Sequence, residues 1–148
     1  MKLKSFRGMN CSLAQTLEVV GERWTLLILR DAFLGAKRFE QFQNSLGIAR
    51  NILTMRLNHL VAEGILDRRP IEGGRFEYVL TDKGLDLQPV LLSMTHWGDK
   101  HQPNPKGTRL VFVERDTGKP IQAMAVHSAE GRPLKPRDIK AKQGPGLR

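Results

Sequence analysis

Apolar residues recur every three or four positions through the first half of the chain, and a glycine follows each repeat. This spacing predicts short amphipathic helices that end near those glycines. The first helix is predicted to begin at a capping box, Ser12-Leu13-Ala14-Gln15. The second begins near Trp24 and is apolar nearly all round, which is typical of a buried helix. The third and fourth are marked by Phe39, Phe42 and Leu46 and by Leu53, Leu57 and Leu60.

The helical spacing stops at Gly64, and two short runs that predict strands follow at 65–70 and 75–80. Only a few residues connect the two runs. Gly73-Gly74 in this connection supplies the positive φ angles that a tight hairpin needs. We therefore expect an antiparallel hairpin directly after the fourth helix.

A last, long helix is indicated after Thr81, which is placed to cap it. Because proline lacks an amide hydrogen, Pro89 predicts either a kink or a late start of this helix. Its apolar face comprises Leu87, Val90, Leu91, Met94 and Trp97. Four helices, a hairpin and a closing helix are the element order of a winged helix-turn-helix domain. The expected fold is mainly α with a β-wing.

The composition changes near residue 102, where a linker with two prolines and a glycine begins. Beyond it, 109–113 and 121–126 predict a small β-hairpin around a turn at Asp116-Thr117-Gly118-Lys119. Residues 133–148 contain few apolar side chains and predict a mobile tail. The expected parts are a DNA-binding domain at 9–101 and a basic C-terminal extension at 102–148.

The chain has 24 lysines and arginines against 15 acidic residues, a formal net charge of +9. Residues 103–148 contain 10 of the basic and 4 of the acidic side chains, so this part alone contributes +6. A basic chain suits a polyanionic partner such as nucleic acid. The basic tail has two interpretations, as a solubilising segment or as an additional DNA contact.

Composition also disfavours several classes of function. No apolar run reaches membrane-spanning length and no signal-peptide pattern follows the N-terminus, so we expect a cytoplasmic protein without a membrane partner. The single Cys11 rules out an internal disulfide and a zinc site built from cysteines. The four histidines lack metal-ligand spacing, and no catalytic triad or phosphate loop stands out. We expect no enzyme activity, no cofactor and no metal.

The fourth helix is the candidate for reading DNA bases. If its leucines face the core, its polar residues point outward. The residues on and beside this outward face are Arg50, Asn51, Thr54, Met55, Asn58 and His59. Asparagine and arginine can bond a base through two atoms, and threonine and methionine can contact thymine methyl groups. The alternative is a solvated polar face, which most helices have.

The predicted hairpin is basic and would add contacts that do not depend on base sequence. Its part of the predicted DNA-binding set is Arg68, Arg69, Gly74 and Arg75. Arginines at such a position meet phosphates or enter a minor groove. Arg38, next to Lys37, precedes the third helix and is placed to hold the DNA backbone on the other side. Solvated surface is again the alternative for each residue.

An ordered set of short matches runs through residues 9–101. It comprises Cys11, Gly21, Trp24 to Arg30, Arg38-Phe39, Gly47-Ile48, Leu53-Thr54, Arg56-Leu57, Leu60, Glu63 to Leu66, Arg68-Arg69, Glu77-Tyr78, Leu80-Thr81, Lys83-Gly84, Pro89-Val90 and Trp97-Gly98. Each match is weak alone, but together they resemble the HxlR family of bacterial winged-helix regulators, relatives of the MarR type. Two positions depart from the family pattern: Ala49 stands where a serine often precedes the recognition helix, and the wing is short.

The resemblance implies a homodimeric transcriptional regulator, a repressor, that binds a palindromic DNA operator and responds to a small-molecule or redox signal. It implies a dimer interface built from the first and last helices. The corresponding residues are Leu13, Leu17, Leu87, Leu91, Met94 and Trp97. An apolar face that one domain cannot cover would suit such an interface. Packing within the monomer is the alternative.

Cys11 is a candidate redox sensor, because the family includes thiol-based sensors with a cysteine near this position. Thiols at helix N-termini are often reactive. The alternative is a small apolar residue, which free cysteines often are.

The extension resembles a zinc ribbon of some family members that has lost its cysteines. Its two ribbon-like turns are 116–118 and 127–131, and His127 with Glu130 cannot supply the four ligands of a tetrahedral zinc site. We therefore expect a metal-free hairpin that keeps the ribbon shape.

Two other functions are compatible with the pattern. One is a nucleic-acid binder without base preference that uses the basic tail, and the other is a winged helix used to bind a protein. Asn51, Thr54 and Asn58 favour sequence-specific DNA binding, because a non-specific binder needs mainly lysine and arginine.

Overall fold

The computed structural model describes residues 4–147. They form two compact units, one ending at Gln88 and one beginning at Pro89. The helices are α1 (Ser12–Val20), α2 (Thr25–Phe33), α3 (Phe39–Leu46), α4 (Arg50–Ala62), α5 (Asp82–Leu85) and α6 (Gln88–His101). The strands are β1 (Leu66–Ile71), β2 (Arg75–Leu80), β3 (Val126–His127) and β4 (Pro133–Leu134). No helix in the described range is long and apolar enough to cross a membrane.

The core of the first unit is built from the apolar faces that the sequence pattern predicts. Its side chains without any exposed surface include Ile28, Leu29, Phe42, Leu53, Leu57 and Leu60. Burial of each such side chain contributes roughly 1.5–3 kcal/mol. The prediction that α2 is buried on every side is wrong, because α2 packs on α3 and β2 and leaves Leu27 38% exposed.

Glycines end α3 and α4 as predicted. Gly47 follows α3 with φ of 61° and its amide donates to the carbonyl of Gln43, 2.9 Å away. Gly64 follows α4 with φ of 71°. Left-handed backbone of this kind satisfies the last helical carbonyls and suits residues without a Cβ. The two stops fix where the chain turns on either side of α4.

The predicted capping box of α1 is wrong. The residue that precedes the helix is Cys11, and no side chain caps it. Gln15 instead donates to the carbonyls of Phe6, Arg7 and Met9 at 3.4, 3.3 and 2.8 Å. The segment before α1, residues 5–9, is called the arm below. It occupies the Gln15 side-chain amide that a capping box would require.

Glu18 holds the same arm from the next turn of α1. Its carboxylate accepts a hydrogen bond from Ser5 Oγ at 3.0 Å and another from the Phe6 backbone amide. Arg7 approaches it at 3.6 Å. The Phe6 amide bond is the main cause that lowers the pKa of Glu18 below its ordinary value. The arm is thus tied to α1 by an ionised carboxylate.

The wing is an antiparallel hairpin of β1 and β2, with its register running from Leu66 opposite Leu80 to Ile71 opposite Arg75. Gly73 and Gly74 form the turn with φ of 77° and 70°. The predicted hairpin and its glycine turn are confirmed. A short turn of this kind leaves little room for register slippage.

The long final helix begins later than Thr81. Thr81 caps the four-residue α5, where its hydroxyl accepts from the Gly84 amide at 3.1 Å. Helix α6 begins at Gln88 with Pro89 in its first turn, where a missing amide hydrogen costs no helical bond. The late start that Pro89 predicts is therefore confirmed. Leu87 lies before α6 rather than on its face, and no residue of α6 is fully buried.

The extension contains the predicted hairpin in a reduced form, together with a pairing that was not predicted. Around the predicted turn, Val113 bridges Pro120, the Ile121 amide donates to the Phe112 carbonyl at 2.9 Å, and the Glu114 amide donates to the Lys119 carbonyl at 2.8 Å. Val126 pairs instead with Leu134, so part of the segment expected to be mobile forms β4. A turn at Gly131, with φ of 83°, makes this local pairing possible. Arg148, the last residue of the predicted tail, lies outside the described residues.

We expect Gly84→Ala to destabilise the first unit by about 1–3 kcal/mol. A Cβ at this position would lie 2.3 Å from the Ile65 carbonyl oxygen and 3.1 Å from Leu80 Cδ2. The Ile65 carbonyl already accepts from the Thr81 amide and hydroxyl, both at 3.1 Å, so the clash would disturb the start of α5. Denaturant unfolding measures the change.

Gly8→Ala is the matched control, because nothing lies within 4 Å of a Cβ at Gly8. Its stability should stay within about 1 kcal/mol of wild type. A Gly84→Ala protein as stable as the control would contradict the close approach of α5 to the chain at Ile65.

Candidate nucleic-acid interface

A groove of about 380 Å³ opens on the first unit between the start of α3, the outer face of α4 and the wing. Its walls are lined by Arg38, Phe39, Glu40, Arg50, Thr54, Asn58, Arg68, Gly74, Arg75, Phe76 and Tyr78. Four of these side chains are arginines and one is acidic. The positive charge suits an anionic ligand.

The orientation of α4 brings its polar residues to this groove. Leu53, Leu57 and Leu60 are buried, so the helical period turns Asn58 away from the core and places Thr54 at the side of the helix, where both are exposed. Thr54 Oγ1 donates to the carbonyl of Arg50 at 2.9 Å. The Asn58 side chain is exposed and lines the groove, so its amide group is accessible to an external partner.

One backbone hydrogen bond joins the wing to the start of α3. The Tyr78 amide on β2 donates to the Lys37 carbonyl at 2.7 Å. The Gln41 side chain accepts from the amides of Lys37 and Arg38, both at 2.9 Å. These bonds hold Arg38 on one wall of the groove while β2 forms the other. The arrangement makes two separate chain segments into one concave surface.

Most of the predicted DNA-binding residues meet in this groove, and the others take different positions. The residues brought together are Arg38, Arg50, Thr54, Asn58, Arg68, Gly74 and Arg75. Asn51 and Met55 are exposed on α4 but do not line the groove. Arg69 lies on the other face of the hairpin from Arg68, since side chains alternate along a strand, and it pairs with Asp67 at 3.5 Å.

His59 points into the domain. Its Nε2 atom lies 3.1 Å from the Val19 carbonyl of α1, and the ring is half-buried. The helical spacing of His59 between Asn58 and Leu60 does not predict this contact, because the contact depends on where α1 packs. The ring therefore ties α4 to α1.

Three aromatic residues that line the groove, Phe39, Phe76 and Tyr78, were not predicted as site residues, and two of them contact arginines. The Arg50 guanidinium lies 4.7 Å from the centre of the Phe39 ring, and that of Arg68 lies 3.8 Å from the centre of the Phe76 ring. Phe39 was interpreted only as part of a helix face. The two-residue alternation that puts Arg68 and Phe76 on one face of the hairpin was a usable signal.

The residues predicted for the dimer interface are mostly uncovered. Leu13 and Leu17 on α1 are exposed, and so are Met94 and Trp97 on α6. Leu87 and Leu91 are half-buried. Large apolar side chains on two helices are thus available for a partner.

Cys11 is exposed at the start of α1. Among residues 4–147 no cluster of three or more histidines, cysteines and carboxylates is placed to hold a metal ion.

A family model described as HxlR-like helix-turn-helix matches residues 19–106. The HTH-type transcriptional regulator Rv3095 of Mycobacterium tuberculosis is 38% identical over 139 residues, which cover 93% of this chain and 88% of that protein.

Among solved structures, the candidate transcription factor PA1607 is 40% identical, with a TM-score of 0.88 over 95% of this chain and all of that one. The redox regulator HypR in its reduced form is 32% identical, with a TM-score of 0.58 over 62% of this chain and 94% of that one. The similarity to PA1607 includes the extension, whereas HypR matches a shorter part of the chain.

Proposed function

The chain belongs to the HxlR-like helix-turn-helix family, and we propose that it is a homodimeric repressor that recognises a palindromic DNA operator. Its relatives are helix-turn-helix transcriptional regulators, and this chain is a regulator of the same kind rather than an enzyme. The dimer, the operator and the sign of regulation belong to the proposal.

The groove of four arginines around Asn58 carries the proposal. Recognition helices of this fold lie in the major groove and the wing contacts the adjacent backbone. Asn58 would read an adenine, since asparagine can bond its N6 and N7 atoms together. Arg38 and Arg75 would meet phosphates on either side, with Asn51 and Met55 on the exposed rim of α4. Arg69 and His59 are left out of this contact set because they face elsewhere.

The exposed apolar residues of α1 and α6 support the dimer. Leu13 is 68% exposed and Trp97 is 62% exposed, so association through these helices would remove apolar area from water. A second copy would cover these residues and place two α4 helices on two half-sites. We assign residues 9–101 to DNA binding and dimerisation and residues 102–148 to an appended, metal-free extension.

An oxidant that reacts with Cys11 is the proposed signal, with a small-molecule effector as the second candidate. Two observations support it: the Cys11 side chain is exposed beside α1, and HypR is described as a redox regulator. Modification at the start of α1 would disturb the helix that is proposed to form the interface.

The operator can be selected from random DNA with the wild-type protein. We expect Asn58→Ala to lose about 1–3 kcal/mol of binding free energy on that operator and to relax the choice of one base pair. Arg75→Ala should weaken binding to operator and random DNA about equally, and it should lower the dependence on salt. Titrations at several salt concentrations measure both effects.

Asn44→Ala is the control for Asn58, since Asn44 is exposed on α3 outside the groove. It should bind like wild type. Equal losses for Asn58→Ala and Arg75→Ala on both kinds of DNA would refute base reading by α4.

The wild-type protein should sediment as a dimer at micromolar concentration. Met94→Glu should dissociate it, because a charge would enter an apolar contact. Binding to a palindrome should fall more than binding to one half-site, since the two sites are no longer linked. Gln88→Glu adds the same charge about 120° around α6 from Met94 and should leave the dimer intact. A monomeric wild-type protein with full affinity for the palindrome would exclude this model.

Treatment with a mild thiol oxidant should lower operator affinity of the wild-type protein several-fold and leave Cys11→Ser unaffected. Reversal by a reductant would show that the change is on the thiol and not elsewhere. Identical responses of the two proteins would rule Cys11 out as the sensor and leave a small-molecule effector as the signal.

A further inference from the structure

We propose that Phe39 and Phe76 are positioning residues, whose rings hold the guanidinium groups of Arg50 and Arg68 in place for DNA. This inference rests on the proposed function of the groove. It adds to that function the means by which two long, flexible side chains are oriented before DNA arrives.

Both contacts have the geometry of a cation held over an aromatic face. The distances of 4.7 Å for Arg50 and 3.8 Å for Arg68 are within the roughly 6 Å over which the ring attracts a guanidinium. Each pair also joins two elements. Phe39 and Arg50 begin the consecutive helices α3 and α4, whereas Arg68 and Phe76 lie on the two strands of the wing.

Carboxylates do not compete for these arginines. Among residues 4–147 the ion pairs of arginine involve Arg7, Arg30, Arg56, Arg69 and Arg109. Arg50 and Arg68 are therefore held by rings rather than by acids. A ring restrains the plane of the guanidinium but leaves its N–H groups free to donate to a base or a phosphate.

The position of Phe76 argues against a purely structural role. Its ring is 39% exposed, so it contributes less to the core than the buried Tyr78 on the same face. In the register of the hairpin Arg68 is opposite Tyr78, and Pro70 is opposite Phe76. Arg68 and Phe76 are thus diagonal neighbours on the groove side of the wing. Because the Phe76 ring holds the Arg68 side chain in place before DNA binds, less conformational entropy of that side chain is lost on binding.

The two pairs should serve different contacts. Arg50 is the first residue of α4, and the N-terminal residues of a recognition helix approach base edges. Arginine bonds guanine through O6 and N7, so the Phe39–Arg50 pair is assigned to reading a guanine. Arg68 is on the wing, and the Phe76–Arg68 pair is assigned to the DNA backbone.

The test compares Phe39→Leu and Phe76→Leu on the selected operator, on versions with single guanines replaced, and on random DNA. Phe39→Leu should weaken the operator by about two- to five-fold and reduce the preference for one guanine. Phe76→Leu should weaken every DNA by a similar factor. Phe39→Tyr and Phe76→Tyr keep an aromatic face and should restore most of the affinity.

Phe6→Leu is the matched control, because the Phe6 ring is 39% exposed like that of Phe76 but does not line the groove. It should bind DNA like wild type. The double variants Arg68→Ala/Phe76→Leu and Arg50→Ala/Phe39→Leu should bind no more weakly than the arginine variants alone, since a ring that acts through an arginine adds nothing once that arginine is gone.

Three outcomes separate this inference from the function on which it rests. If the leucine variants bind like wild type while Arg50→Ala and Arg68→Ala lose affinity, the positioning role is wrong and the groove still binds DNA. If the losses of ring and arginine add, the rings act independently and the inference is overturned. If neither arginine variant changes DNA binding, the proposed function of the groove itself fails.

Discussion

Burial of Leu53, Leu57 and Leu60 fixes the rotation of α4 about its own axis. These side chains have no exposed surface, and turning the helix by one residue would bring a polar group into the core at a cost of several kcal/mol. Everything on the outer side of the helix follows from that constraint. Thr54 and Asn58 reach the groove because the leucines cannot leave the core.

The walls of the groove depend on backbone contacts made around this helix. The bond between the Tyr78 amide and the Lys37 carbonyl holds the wing beside the start of α3. On the far side, Gly84 allows α5 to approach the Ile65 carbonyl, where no other residue would fit. The groove is thus held in shape by backbone contacts that do not themselves face the ligand. Substitutions far from the groove would change its width.

The elements that depend on local pattern were predictable from the sequence. The leucine spacing predicted α4, and Gly73-Gly74 predicted the turn of the wing. Some of the errors arose because long-range packing decided the outcome. The bond of His59 to Val19, for example, depends on the position of α1.

Where a side chain has two possible partners, the sequence also could not predict which one it would choose. Gln15 fits a capping box, but it bonds the arm before α1 because three carbonyls lie within its reach. In the extension, Val126 was predicted to belong to the first hairpin, but it pairs with Leu134 across the turn at Gly131. The contact of Phe39 with Arg50 links residues eleven positions apart on two helices, and no periodicity within either helix contains it.

Helix α6 has 14 residues, and none of them is fully buried. An isolated helix of this length is marginal in water, so its order depends on what packs against it. The extension supplies part of that support, since Arg109 pairs with Asp99 at 3.2 Å and the Met124 amide donates to His96 Nδ1 at 3.2 Å. In the proposed homodimer, covering the exposed side of α6 would couple the order of this helix to assembly, which shifts with protein concentration. The amount of chain in a cell would then set the fraction of the regulator that is competent to bind DNA.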